Sequence, residues 1–100
     1  MLTSGQRAYL RSLAQTMEPI LYIGYAGITQ QVIQQSDDAL SARELIKCSV
    51  QKSVENDTRA VCDALCEAVH ADGVQCIGRK FVIYRMARQP EKRKITLPKA

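Results

Sequence analysis

One hundred residues make a single domain, long enough to bury roughly 60–70% of the surface its unfolded chain would expose and too short for a second core. Hydrophobic residues at 46%, charged residues at 24% and a net charge of +4 exclude disordered, collagenous and low-complexity classes. No apolar run approaches the ~20 residues of a membrane span, and Met1 leads into Leu2-Thr3-Ser4-Gly5 without a charged-then-apolar leader, so the expectation is a soluble cytoplasmic protein with no membrane partner.

Thr3 with Gln6 three residues on has the form of a capping box, and Tyr9, Leu10, Leu13, Ala14 and Met17 follow at helical spacing, with Arg7 and Arg11 on a neighbouring exposed face. Pro19 is expected to stop this helix. Ile20-Leu21-Tyr22-Ile23 reads as a short buried strand, and Gly24-Tyr25-Ala26-Gly27 follows at once. Thr29 caps a second helix that turns Val32, Ile33, Ser36, Ala39 and Leu40 to one side and Asp37 and Asp38 outward. Residues 44–50 alternate as a strand. Asn56 and Asp57 form a turn and cap for a third helix with the stripe Val61, Cys62, Leu65, Cys66 and Val69, ended by Asp72-Gly73.

Residues 74–77, a Gly78-Arg79 turn and residues 80–85 make a short-loop hairpin. Phe81-Val82-Ile83-Tyr84 is apolar on both faces and belongs inside the sheet. The order α-β-α-β-α-β-β gives an α/β fold, a small mixed four-stranded sheet packed with three helices, in which the closing hairpin adds an antiparallel pair. Residues 1–86 form the domain and 87–100 a basic C-terminal arm.

Charge is segregated along the chain. Residues 1–78 carry six basic against nine acidic side chains, whereas residues 79–100 carry eight basic ones against Glu91 alone. A positive arm of this kind favours a polyanionic partner, because each neutralised phosphate releases counterions.

Chemistry-bearing constellations are few. Cys48, Cys62, Cys66 and Cys76 contain no Cys-x-x-Cys pair, and Cys62 and His70 would stand roughly 12 Å apart along one helix, so no metal is expected. The thiols read as buried and reduced. His70 is the sole histidine, no serine or cysteine stands in a nucleophile setting, and the carboxylates are scattered. The expectation is a non-enzymatic protein without cofactor or small-molecule substrate, and a monomer.

The Gly-x-x-Gly junction at 24–27 lacks the Lys-Ser/Thr of a nucleotide P-loop and the third glycine of dinucleotide folds. Two glycines before a helix let the backbone approach a phosphate, as KH modules do with RNA. They also serve a plain turn. Arg7, Arg11, Lys47, Arg79, Lys80 and Arg85 would lie near one another if the first helix and the strand ends flank this loop. Tyr22, Tyr25 and Tyr84 are the candidates for base stacking, too few for a stacking reader, so structured RNA held by phosphate and shape fits better. The other open reading is a protein-interaction module whose basic surface and tail hold an acidic protein partner.

Leu2-Thr3-x-x-Gln6-Arg7-x-Tyr9-Leu10-Arg11-x-Leu13-Ala14, Pro19-Ile20-x-x-Ile23-Gly24-x-x-Gly27-Ile28-Thr29, Glu44-Leu45-Ile46-Lys47, Val74-Gln75-x-Ile77-Gly78-Arg79 and Val82-Ile83-Tyr84-Arg85 together resemble the CRM domain, in its single-domain bacterial YhbY-like form. The resemblance implies an RNA-binding module related in fold to the C-terminal domain of translation initiation factor three, associated with ribosomal RNA or precursors of the large ribosomal subunit. Similar domains occur in plant organellar intron-splicing factors. The implied RNA surface is Gly24, Tyr25, Ala26 and Gly27 with Arg7, Arg11, Lys47, Arg79, Lys80 and Arg85. Tyr25 departs from the pattern, since the family commonly has a basic residue there and a tyrosine cannot neutralise a phosphate. Gly5 likewise stands where relatives often have lysine.

Overall fold

Why Thr3 starts a helix is visible in both halves of its capping box: its Oγ1 accepts the Gln6 N–H at 3.1 Å, and Gln6 Oε1 accepts the Thr3 N–H at 3.1 Å. In the computed structural model, which describes residues 2–24, 26–51 and 57–98, this cap opens α1 (Ser4–Ala14). The chain continues through β1 (Leu21–Ile23), α2 (Gln30–Arg43), β2 (Leu45–Val50), α3 (Thr58–Val69), β3 (Asp72–Ile77) and β4 (Lys80–Tyr84) to a 3-10 turn at Pro90–Lys92. The expected α-β-α-β-α-β-β order and four-stranded mixed sheet are both present.

The strands lie in the order β1-β2-β4-β3, with β1 parallel to β2 and the other pairs antiparallel. Phe81 to Tyr84 therefore occupy an inner strand, as their two-sided apolarity requires. Period-two alternation then sends Ile46, Cys48, Val50, Phe81 and Ile83 to one face, against Val32 and Leu40 of α2 and Val61, Leu65 and Val69 of α3. Leu45, Val82 and Tyr84 go to the other face, against Leu10 and Ala14 of α1, with Ile95 and Leu97 of the C-terminal segment packed beside them. Each fully buried Leu, Ile or Phe contributes roughly 1.5–3 kcal/mol relative to exposure, so these two layers fix the frame.

Four local expectations need correction. Residues 20–23 do not form a fully buried strand: Ile20 is 37% and Tyr22 66% exposed, because β1 is an edge strand with one face open. Pro19 does not end α1, which stops at Ala14, where Lys47 Nζ reaches the Ala14 and Met17 carbonyls at 3.3 Å each. Asp72-Gly73 does not end α3. His70 does, in the left-handed conformation at φ 59° with its N–H on the Cys66 carbonyl, and Asp72 and Gly73 already belong to β3. Tyr84, a stacking candidate from the sequence, is buried at the core. Asp57 caps α3 through Arg59 N–H, while Asn56 lies outside the described residues.

Candidate nucleic-acid interface

One end of the sheet gathers most of the loop chemistry. β1 runs out at Ile23, whose carbonyl accepts the Gln51 N–H at 2.9 Å, and the Gly27 N–H closes a turn onto the Gly24 carbonyl at 3.0 Å. Thr29 then caps α2, its Oγ1 accepting the Val32 N–H at 3.2 Å. The N–H groups of Gln30 and Gln31, ahead of it, have no acceptor within the helix, and the aligned peptide dipoles leave positive potential at this end. The β3–β4 hairpin tip stands at the same end, since the Arg79 carbonyl accepts the Val50 N–H at 2.7 Å. Gly78, at φ 60°, takes the left-handed position of this two-residue turn.

The two loop glycines are not alike. Gly27 sits at φ 73°, which disfavours any side chain. Gly24 has no such backbone requirement, and a Cβ there would meet the Gln51 side chain only at ordinary contact, 3.4 Å. The turn alone therefore explains Gly27 and not Gly24, which is half-buried beside the Gln51 side chain. Ala26 is exposed between them, and Tyr25 lies outside the described residues.

The basic residues divide into three groups. Arg79 and Lys80 accompany the loop, Lys80 paired in register with Ser49 and Ile77. Arg7 and Arg11 line a cleft of about 460 Å³ along the outer edge of β3, together with Arg59, Asp63 and the 73–76 stretch, and Arg7 Nε donates to the Gly73 carbonyl at 3.2 Å. Lys47 and Arg85 are engaged inside the fold. The Lys47 amine closes the C-terminus of α1, and Arg85, just past β4 at the end of the sheet away from the loop, donates through Nη1 to Asp37 Oδ1 and the Val69 carbonyl, both at 2.8 Å. Its Nη2 holds the Asp37 carbonyl and Ser41 Oγ at 3.0 Å each.

Three of the four thiols are raised, and Cys66 is lowered by its hydrogen bond with Cys62. Burial pushes the Cys48 thiol up to about 12 and raises Cys76, and Cys62 is raised by its hydrogen bond with Cys66 and by burial. Among the described residues no group of three or more His, Cys, Asp or Glu could hold a metal ion, and no helix is long and apolar enough to cross a membrane.

Comparison with known proteins agrees with this architecture. The sequence profile of the CRS1 / YhbY (CRM) domain matches residues 2–85. The chain belongs to the CRM family. It is 40% identical over 98 residues to the "Probable RNA-binding protein YqeI" of Bacillus subtilis, covering 98% of this chain and 100% of that one. It is 33% identical to the "Probable RNA-binding protein PA4753" of Pseudomonas aeruginosa, over 91% of this chain and 88% of the relative. The solution structure of the hypothetical protein SAV1595 from Staphylococcus aureus superposes with a TM-score of 0.80 at 42% identity, covering 98% of this chain and 100% of that one.

Two features of this CRM domain escaped the sequence. Tyr22 falls within a run with the pattern of a buried strand, and its exposure follows from β1 standing at the sheet edge. Glu44, the first residue of a quoted motif, reads as an ordinary strand start, yet it is fully buried and binds the C-terminal segment. A left-handed backbone at φ 66° puts it there, and sequence spacing carries no signal for that.

Proposed function

We propose that this protein binds RNA without catalysing a reaction, and that it associates with ribosomal RNA or precursors of the large ribosomal subunit as an assembly factor. The observation that carries this reading is the convergence of the 24–27 turn, the N-terminus of α2 and the Arg79-Lys80 hairpin tip at one end of the sheet. Backbone N–H groups, a helix dipole and cations there offer a phosphate complementary partners without a nucleophile or metal. Membership of the CRM family and relatives named for RNA binding support the RNA-binding part of this reading. Gly24, Tyr25, Ala26, Gly27, Arg79 and Lys80 form the proposed contact set, Arg7 and Arg11 extend it along the β3 edge, and Lys47 and Arg85 hold the frame.

The test is affinity for a large-subunit ribosomal RNA fragment across a salt series, for the wild type and a folded Ala26→Asp, Lys80→Glu variant. Four to six phosphate contacts predict a log–log slope of about −2.8 to −4.2, with affinity lost in the variant. A shallow slope or an unaffected variant would refute the site. Co-sedimentation with immature large subunits and not with mature ones tests the assembly role.

A further inference from the structure

The sheet face that carries α1 is covered unequally. At the Glu44 end, α1 and the C-terminal segment bury Leu45, Val82 and Tyr84. At the other end the last ladder row runs straight across all four strands, Tyr22 opposite Ser49, Ser49 opposite Lys80, and Lys80 opposite Ile77. Register partners share a face, so these four side chains point the same way. Tyr22 and Ile77 are each 66% exposed, Lys80 is exposed and Ser49 is half-buried, so the row is largely open to solvent.

The geometry points to a docking shelf for an unpaired nucleotide of single-stranded RNA, with its base on the Tyr22 ring and its backbone phosphate at Lys80. This deepens the RNA-binding reading and rests on it. Three features select this occupant. The Tyr22 hydroxyl donates to the Pro19 carbonyl at 3.3 Å, which holds the ring along the strand and reduces the ordering cost of stacking. Tyr22 and Lys80 stand two strands apart through Ser49, roughly 10 Å across the sheet, a span that a nucleotide and the lysine side chain cover between them. The row contains a cation and two hydroxyls and no carboxylate, with Arg79 in the adjoining turn, so its charge complements a polyanion. A duplex, whose bases are already stacked, has no ring face to give Tyr22.

The experiment compares a single-stranded oligoadenylate with a fully paired RNA duplex of equal length, against wild type, Tyr22→Ala, Tyr22→Phe and Ala26→Asp, with circular dichroism confirming each fold. Tyr22→Ala is expected to weaken single-strand binding about 5- to 100-fold and leave duplex binding unchanged, while Tyr22→Phe, which keeps the ring and loses only the bond to Pro19, retains most of that affinity. In the same series Tyr22→Trp creates the chain's one tryptophan, whose fluorescence should be quenched by the single strand and not by the duplex. Equal losses on both RNAs, or no loss from Tyr22→Ala together with no quenching, would overturn the shelf while loss of binding in Ala26→Asp kept the RNA reading. Failure of the wild type to bind either RNA would overturn both.

Discussion

Glu44 and Ile95 are joined across 51 residues of sequence: the buried carboxylate accepts the Ile95 N–H at 2.9 Å and ties the C-terminal segment to the start of β2. The same side chain accepts the Lys94 N–H at 2.5 Å and, through its other oxygen, the Ala87 N–H at 2.7 Å. Burial alone would push this carboxyl up, but the three N–H groups and the nearby Arg93 guanidinium together outweigh it and hold the pKa below the ordinary 4.5. The basic arm of the sequence is thus fastened to the domain over residues 87–95.

A carboxyl whose folded pKa is depressed contributes stability above its unfolded pKa, and loses it as pH falls through the folded value. The contribution of Glu44 should therefore be complete above about pH 5 and fade below the ordinary carboxylate range. Glu44→Gln keeps the volume but turns an amide donor toward a backbone N–H, and should cost about 3 kcal/mol and flatten that acid dependence. Urea unfolding at pH 7 and at acid pH reads both effects. A variant as stable as wild type would show that the arm is not held by this carboxylate.

Arg85 is a cation hydrogen-bonded within the fold. Its guanidinium reaches α2 and α3 at once through Asp37, Ser41 and the Val69 carbonyl, and the ion pair is partly shielded, with 21% of the Arg85 side chain exposed. Arg85→Met should cost about 2 kcal/mol of stability, by stranding the Val69 carbonyl and the Asp37 carboxylate, and leave the salt slope of RNA binding unchanged. Lys80→Met should do the reverse, leaving thermal stability within about 0.5 kcal/mol and reducing the slope by about 0.7. Finding the slope lowered by Arg85→Met would move the RNA path to the far end of the sheet.

Lys47 makes a parallel case on the other face. Its amine stands 3.3 Å from two carbonyls at the end of α1, where the helix dipole is negative. Lys47→Met should destabilise by about 1 kcal/mol without changing RNA affinity, seen as a lower Tm beside an unaltered binding isotherm. A large affinity loss in a fully folded variant would return Lys47 to the contact surface.

These residues also show where sequence reasoning succeeds and where it stops. The Thr3–Gln6 box, the Thr29 cap and the inner position of Phe81 to Tyr84 are legible because each depends on neighbours within four residues or on an unbroken apolar run. The partners of Lys47, Arg85 and Glu44 lie 16 to 51 residues away, and a charge count cannot tell a cation facing solvent from one folded against a carbonyl. Strand order has the same non-local origin. Until β1 is known to be an edge, Ile20 to Ile23 looks like any buried strand, and the exposed Tyr22 ring is hidden within it.

Gly24 and Gly27 give the sharpest separation of fold from function. At Gly27, φ 73° makes alanine strained whatever the space around it, so Gly27→Ala should cost about 1 kcal/mol or more in stability. At Gly24 the backbone is unstrained and an added methyl meets Gln51 at 3.4 Å, so Gly24→Ala should be neutral, or stabilising by about 0.4–1 kcal/mol through the unfolded state. If RNA approaches the bare backbone at this turn, the same methyl lowers affinity while the protein remains fully folded. Urea titration paired with RNA titration of the two variants decides the matter: stability retained and affinity lost at Gly24 places the phosphate against that turn. Unchanged affinity would leave Arg79, Lys80 and the β3 edge as the phosphate path, with the loop serving only to start α2.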